Sequence, residues 1–549
     1  MNTIHKIPSK PVLKYEHFGA FLYDIAGRYA KRPAVTSYTR RGEERTFTYE
    51  EMVHHAMAFG QSLIEAGFGG QHVAIVGENS YEWLIAYLGA IVSGSVAVCI
   101  DVEQSDDTIQ SMIREADAKL MVVSADFVSI CQPLLDEGVD RMVVVDRKGE
   151  EGYDAFVALG ENAFKEKGGW TRPELSGEQT AVIVYTSGTT STAKPVMLSH
   201  RALMANAAVS IAIVPVDRKS FCSLPFYHTY GLTCAVIGSL IGGYNICIGN
   251  LKTILRDIQR FQPRTLVAVP LIVETLHRMI WAGIEKSAKK STIQRLIRMG
   301  RALGRPSMFM PAKLIEGIRS SPIGSLRIII SGGAHLDSTI GEELEAFGIL
   351  VMQGYGITEC SPLVSVNDPF DCDFASVGYV VPGYEIDIRD EEIYVKGVSL
   401  MKGYYKRPEL TRAALSDGWF GTGDLGYVNK KGQLFITGRK KNLIVMKNGK
   451  KISPEEIEGY LSSIPIVQEV VAYGVTQGSS TDDVKLAVMV YPNPREVEGM
   501  TSYDILQTLQ KEVDRINAKL PSYKQIQMIH IRESEFEKTS SRKIKRQMI

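Results

Sequence analysis

The stretch on which the reading turns is Tyr185-Thr186-Ser187-Gly188-Thr189-Thr190-Ser191-Thr192-Ala193-Lys194-Pro195-Val196-Met197-Leu198-Ser199-His200. An apolar run, Ala181 to Val184, leads into small and hydroxylated residues; a single lysine follows and a second apolar run leaves. The pattern predicts strand, loop, strand. Such a loop suits a polyphosphate. Gly188 tolerates any backbone angle and lets an anion approach the amides, the hydroxyls donate hydrogen bonds, and Lys194 adds a mobile positive charge. It is not the P-loop, which needs Gly-x-x-x-x-Gly-Lys-Ser/Thr opening a helix, because here proline follows the lysine. Ordinary solvated turns are also built from small polar residues, so the rest of the chain has to decide between the two.

At 549 residues the chain exceeds what one hydrophobic core usually supports, which predicts two or more domains. A hydrophobic content of 45% is that of a globular protein, and a formal net charge of zero gives no overall field towards nucleic acid. The seven cysteines are scattered and never form a Cys-x-x-Cys pair, the usage of a reduced, cytoplasmic chain. Met1 to Lys14 lacks the apolar segment of a signal peptide. Two uncharged runs, Leu84 to Ile100 and Gly231 to Leu251, end in strand-like segments after glycines. Each reads as a buried helix followed by a buried strand, so no transmembrane span is expected.

Upstream of the loop, helical patterns over Phe18 to Tyr29, Tyr49 to Ala66, Tyr81 to Ile91 and Asp106 to Ala116 alternate with apolar strands at Val73 to Val76, Val96 to Ile100 and Leu120 to Val123. Uniformly apolar strands between helices predict a parallel sheet covered on both faces. Downstream the alternation resumes with the helix Ala202 to Ile213 and the strand Thr265 to Val269. A basic surface helix is expected over Lys286 to Arg305 and a strand over Leu326 to Ile330, running into Ser331-Gly332-Gly333-Ala334. A second glycine turn is read at Gly354-Tyr355-Gly356, a single period-two strand over Glu385 to Val398, and a turn at Gly421-Thr422-Gly423-Asp424. Beyond Arg439 short helices and strands describe a separate α+β domain of about a hundred residues. The expected fold is α/β: a large N-terminal domain, 1–438, of doubly wound α/β subdomains and a small α+β C-terminal domain, 439–549.

Three further segments can carry chemistry. Glu359, after the glycines, can hold magnesium if substrate phosphates supply the other oxygens, or can cap a helix. Asp424 can accept from both hydroxyls of a ribose, or serve as a turn aspartate. Gly438-Arg439-Lys440-Lys441-Asn442 and the terminal Lys538 to Arg546 are basic clusters that could equally be solvated.

Taken in order and at their spacing, these segments resemble the adenylate-forming superfamily over nearly the whole chain; acyl-CoA synthetases, adenylation domains and luciferases belong to it. The resemblance implies that Thr186, Ser187, Gly188, Thr189, Thr190 and Lys194 hold the phosphates of ATP, with Thr186 and Glu359 near Mg2+. It implies that Gly333, Ala334 and Tyr355 surround adenine, with Gly356 and Thr358 also in the ATP site, and that Asp424 and Arg439 bind the ribose. Lys441 is then the hinge of a mobile C-terminal domain, Lys543 the catalytic lysine bridging carboxylate and α-phosphate, and Gly449 a neighbour of the CoA pantetheine. Leu224 to Gly231 resembles the segment flanking the acyl pocket; the resemblance implies that His228, among its aromatic neighbours, is with Lys543 a catalytic residue, and no aspartate awaits an ammonium group. The small residues Ala235, Gly238, Gly242 and Gly243 either leave room for an alkyl chain or pack a core helix.

The chain departs from the superfamily pattern at Ser191, Ala193, Pro195 and Arg542, where glycine or proline is usual at each. The wording of Gly438 to Glu458 is most similar to bacterial long-chain fatty acid synthetases. The expectation is therefore a ligase that activates a fatty acid with ATP and passes it to CoA, located in the cytoplasm or peripherally at a membrane. Its rivals are an acyl-adenylate ligase serving a carrier protein and a catalytically dead nucleotide-binding protein.

Overall fold

The computed structural model describes the chain except residues 1–4, 6, 7, 9, 40, 41, 187–192, 215–218, 288, 289, 305, 447, 448, 463, 477–483, 539–543 and 547–549. The residues gather into two compact units, a larger one of Asn2–Glu385 with Lys396–Phe420 and a smaller one of Ile386–Val395 with Gly421–Ile549.

Two sheets organise the larger unit. The first has seven strands in the order Gly403–Tyr404, Lys194–Ser199, Thr180–Thr186, Val96–Ile100, His72–Val76, Leu120–Ser124 and Arg141–Val145. From Thr180–Thr186 onward its pairs are parallel, as the uniformly apolar strands predicted; Val96–Ile100 is buried at every position. The second has nine strands, and its centre, from Leu350–Gly356 through Ile328–Gly332, Thr265–Ala268, Lys219–Cys222 and Asn245–Ile248 to Pro33–Tyr38, is parallel throughout. Its strand order reverses beside Lys219–Cys222: the next strand in sequence lies on one side and the one after that on the other. A point of reversal opens a crevice at the carboxyl ends of the strands, because the two outgoing connections leave over opposite faces.

The run Leu84 to Ile100 is a buried helix, Tyr81–Val92, and a buried strand, and among the described residues no helix is long and apolar enough to cross a membrane. All seven cysteines are free.

Four local expectations are corrected. The basic segment is not one helix: Pro270–Ser287 ends one and Lys290–Ala302 forms the next, with Ile293 and Ile297 in the core. The strand expected at Leu326 begins at Ile328, because Ile323 to Leu326 turns back on itself and Arg327 bonds to the Arg264 carbonyl. Glu385 to Val398 is a hairpin, Tyr384–Arg389 and Glu392–Gly397, turned by Asp390 and Glu391 at φ 48° and 66°. A two-residue turn with positive φ at both positions matches strand twist, and no glycine marked it in the sequence. Gly354, Tyr355 and Gly356 form the end of a strand, not a turn. Glycine serves there for close approach, since a Cβ on Gly356 would lie 2.3 Å from the Pro362 carbonyl oxygen.

The smaller unit contains Ile386–Val395 of the hairpin just described and the pair Trp419–Val428 with Leu434–Arg439, the former strand entering it at Gly421. A three-stranded sheet follows, Val467–Thr476, Val484–Pro492 and Met528–Ile531, with helices Pro454–Ser462 and Ser502–Asn517. Their core holds Ile457, Leu461, Val470, Leu486, Val488, Leu509 and Val513. Ser502–Asn517 starts with a capping box in which Thr501 and Asp504 satisfy each other's backbone amides.

One of the titratable groups buried in the larger unit is a histidine. His200, fully buried, accepts from the Phe18 amide at Nδ1, and no hydrogen-bond partner reaches its Nε2. Burial, with His17 adding to it, pushes its pKa down from 6.5 to about 4. Between those values the unfolded chain binds a proton that the folded one does not, so stability falls as the pH drops from about 6.5 towards about 4, by on the order of 3 kcal/mol. The unfolding midpoint of wild type should fall more steeply over that window than that of His200→Gln; parallel curves would remove His200 as the cause.

Candidate functional site

Parallel pairing places the carboxyl ends of Lys219–Cys222, Thr265–Ala268, Ile328–Gly332 and Leu350–Gly356 on one edge of the nine-stranded sheet. The segments leaving that edge carry His228, then Gly333 and Ala334, then Tyr355 at the last strand's end with Gly356, Thr358 and Glu359. Gly333 adopts φ +87°, and Gly332 lies under the Tyr230 ring, 3.0 Å from where a Cβ would stand. The Tyr230 hydroxyl donates to the Ile330 carbonyl at 2.9 Å and so fixes this strand end from above.

His228 follows a segment clamped by Asn79, whose Nδ2 donates to the Leu224 carbonyl and whose Oδ1 accepts from the Phe226 amide, both at 2.8 Å. The His228 ring is half-buried and meets the Tyr227 ring edge-on at 4.8 Å. Beyond it Tyr230–Ile237 is a π-helix, a wide turn that occurs most often near functional sites. The glycines that follow are filled by neighbours: a Cβ on Gly238 would meet Ser210 Oγ at 3.0 Å and one on Gly242 the Tyr244 ring at 2.2 Å. They serve helix packing.

The phosphate-loop segment is the connection of an antiparallel hairpin in the seven-stranded sheet. Thr186 and Lys194 are register partners at its two sides, while Ser187, Gly188, Thr189 and Thr190 lie outside the described residues. Lys194–Ser199 then pairs with Gly403–Tyr404, placing Tyr404 opposite Val196. The buried Tyr404 hydroxyl donates to Glu359 Oε1 at 2.9 Å, and Lys194 Nζ lies 5.0 Å from the centre of the same ring. Burial, reinforced by the Glu359 carboxylate, holds the Tyr404 phenol well above its ordinary pKa, so it remains a donor at physiological pH. The Met401 amide donates to the Glu359 carbonyl at 2.7 Å, and Glu359 sits in the 3-10 turn Thr358–Cys360. Thus Tyr404 connects Glu359 to Lys194, whose register partner across the hairpin is Thr186.

The turn bearing Glu359 is held from below. Asn206, 2% exposed, donates from Nδ2 to the carbonyls of Cys360 at 3.1 Å and Leu363 at 2.9 Å and accepts from the Leu363 amide at 3.1 Å.

A separate set lies in the smaller unit. Asp424 is not on a turn: it stands within Trp419–Val428 opposite Arg439, whose Nε donates to Asp424 Oδ1 at 2.5 Å. The aspartate is 4% exposed. Glu392, on the hairpin, accepts from the Gly423 amide at 3.1 Å and from Lys440 Nζ at 2.7 Å, and the Thr422 hydroxyl donates to the Ile393 carbonyl at 2.7 Å. The bond to Glu392 raises the Lys440 pKa. Lys441 is exposed in the 3-10 turn Lys440–Asn442, and Gly449 holds φ +75° in a tight connection in which its amide bonds to the Met446 carbonyl.

Lys543 lies outside the described residues. On either side of it Lys538 and Ile544 form a β-bridge, and the Lys545 amide bonds to the Glu537 carbonyl at 2.8 Å. Lys538 pairs with Glu469 and Glu535, and Arg546 with Glu458 at 2.5 Å. These two residues of the terminal basic stretch are therefore anchored, not solvated.

Sequence reasoning passed over Asn79, Asn206, Glu392 and Tyr404. Each acts on backbone or side chains far away in sequence, and only the apolar neighbourhood of Asn206 hinted that its amide would need buried partners. A carboxylate and a threonine hydroxyl beside a lysine suit a divalent cation that arrives with substrate phosphates, which demands few protein ligands. Among the described residues no group of three or more His, Cys, Asp or Glu could hold a metal by itself.

A family model described as AMP-binding enzyme matches residues 22–405, and one described as AMP-binding enzyme C-terminal domain matches residues 441–549. A long-chain-fatty-acid–CoA ligase of Escherichia coli is 27% identical, covering 87% of this chain and 86% of its own. A chloroplastic long-chain-fatty-acid–[acyl-carrier-protein] ligase of Arabidopsis thaliana is 26% identical over 91% of this chain and 82% of its own. The crystal structure of the anthranilate CoA ligase AuaEII in complex with anthranoyl-AMP superimposes with a TM-score of 0.79 at 19% identity, over 98% of this chain and 97% of that one.

Replacing Asn206 by Ala should strand three buried backbone groups and cost about 3 kcal/mol. Denaturant unfolding followed in the larger unit should show an early midpoint; an unshifted midpoint would mean that these groups find other partners.

Proposed function

Since the chain belongs to the AMP-binding enzyme family, we propose that it activates a carboxylic acid, a fatty acid first among candidates, as its acyl adenylate and transfers the acyl group to the thiol of CoA. The observation that supports this most is the meeting at Tyr404 of the phosphate-loop hairpin and the Glu359 turn, two segments 165 residues apart in sequence when measured from Lys194 to Glu359.

In this reading the loop from Thr186 through Ser187, Gly188, Thr189 and Thr190 to Lys194 holds the β- and γ-phosphates. Gly333, Ala334 and Tyr355, with Gly356 and Thr358, accommodate adenine, and Asp424 and Arg439 take the ribose hydroxyls. Thr186 and Glu359 would hold magnesium, with Tyr404 keeping the glutamate's orientation; when bound, magnesium supplies neutralising charge to the phosphates. A substrate carboxylate oxygen attacks the α-phosphorus, the bond to pyrophosphate breaks, and an acyl–AMP anhydride forms. Attack of one anion on another requires cations aimed at the developing charge, and Lys543 has that task. A thiolate then attacks the acyl carbonyl, forming the thioester and releasing AMP. Lys441 acts as the pivot between the two half-reactions, Gly449 neighbours the pantetheine, and His228 faces the acyl carboxylate.

The likeness to the Escherichia coli enzyme favours an alkyl acid and CoA. That to the Arabidopsis thaliana ligase favours a second reading, in which the acceptor is the phosphopantetheine of a carrier protein.

AMP release should be followed over carboxylic acids of graded chain length, with and without CoA. AMP and acyl-CoA rising together on an alkyl acid support the ligase; adenylate that leaves only on a carrier protein supports the second reading; no acid-dependent exchange of pyrophosphate into ATP overturns both. In Lys543→Ala adenylate formation should fall at least about a hundredfold, while thioester formation from supplied acyl adenylate persists. Equal loss of both steps would contradict the role given to Lys543.

A further inference from the structure

From Lys286 to Ile315 the chain has no Asp or Glu, yet Lys286, Lys289, Lys290, Arg295, Arg298, Arg301, Arg305 and Lys313 fall within it, in a protein of zero formal net charge. The helix Lys290–Ala302 turns Ile293, Ile297 and Gly300 inward. Arg301 is tied to the body by Glu342, and Lys290 lies 5.8 Å over the Trp281 ring. The outward face presents Ser291, Arg295, Arg298, Met299 and Ala302, which line a shallow open depression. Met299, in that lining, is 47% exposed, and two more long apolar side chains of the same segment stand in solvent after the helix ends, Leu303 at 62% and Met308 at 55%.

Solvent-facing apolar side chains packed this closely along the chain mark a contact surface. Cations alone would suit any polyanion, but a nucleic acid backbone offers nothing to methionine and leucine. A groove or deep pocket would point to a protein segment; this face is a helix and its following turn, with only a shallow hollow. Guanidinium groups and exposed flexible apolar side chains following one another in a single acid-free segment match the headgroup and acyl layers of a lipid leaflet, the arginines at phosphodiesters and the Met and Leu side chains among the upper acyl carbons.

We propose that the exposed segment bearing Arg295, Arg298, Met299, Leu303 and Met308 docks peripherally on an anionic lipid surface. None of these residues is among those assigned to the reaction, so the two proposals fail separately.

The full chain should be sedimented with vesicles of phosphatidylcholine alone and with vesicles half phosphatidylglycerol. It should partition onto the anionic vesicles, weakly onto the neutral ones, and come off as salt rises. The double variant Arg295→Glu/Arg298→Glu should lose about tenfold or more of that partitioning. Met299→Ser/Leu303→Ser should lose it at low salt as well, which separates insertion from adsorption of charge alone. Both variants change exposed positions and should keep wild-type circular dichroism and ATP–pyrophosphate exchange. Wild-type protein remaining in the supernatant with both vesicles, or partitioning untouched by the double variant, overturns the proposal. Retention of the wild type by soluble polyglutamate with none on anionic vesicles overturns it in favour of an acidic protein partner.

Discussion

Parallel pairing of the strands between Lys219 and Gly356 constrains the edge of the nine-stranded sheet on which the candidate site is built. Parallel neighbours must all end on the same edge, so the segments after Cys222, Ala268, Gly332 and Gly356 have to emerge side by side, whatever their sequences. The reversal of strand order beside Lys219–Cys222 then separates two of those connections and opens the crevice into which they project. Small residues follow these strands because backbone must approach closely there: Gly332 under Tyr230, and Gly356 against the Pro362 carbonyl.

Edges of this kind also create a problem. The turns that carry functional side chains have backbone groups that no sheet neighbour can satisfy, and these must be paired by something else. Asn206 does this for Cys360 and Leu363, and Asn79 does it for Leu224 and Phe226. In the smaller unit Glu392 does so for Gly423 while also holding Lys440. One carboxamide or carboxylate in each case holds backbone that would otherwise sample many conformations, the turns after Cys360 and Leu224 and the strand at Gly423. The Tyr404 phenol adds a donor that does not titrate in the physiological range, so the Glu359 carboxylate keeps one orientation.

The alternation of helix with apolar strand, the two buried runs that look like membrane spans, and the α+β character beyond Arg439 were all legible without a structure. These depend on local periodicity, and periodicity reflects which face of an element is buried. Two of the misreadings share a cause. Gly354 to Gly356 and Gly421 to Asp424 looked like turns because glycine is usually a turn residue, yet both are strand, one set by close backbone approach and the other by pairing with Leu434–Arg439. The hairpin at Asp390 and Glu391 was missed for the opposite reason, since two acidic residues took up the positive φ that glycine or asparagine usually supplies. Of the two readings left open for the glycines after the π-helix, the structure favours packing, since Ser210 and Tyr244 fill the space at Gly238 and Gly242.

What the sequence by itself determined is the inventory: a hydroxyl-rich loop with one lysine, a carboxylate after glycines, an aspartate and an arginine fifteen residues apart from Asp424 to Arg439, and an order of segments that marks the family. Only tertiary structure decided which of these act on one another. Tyr404 joins Glu359 to the hairpin of Thr186 and Lys194, and Arg439 meets Asp424 across a strand pair. The physical reason is one of range. Propensity and periodicity are written within a few residues, whereas a hydrogen bond between side chains far apart exists only once the sheets have set the distance between them.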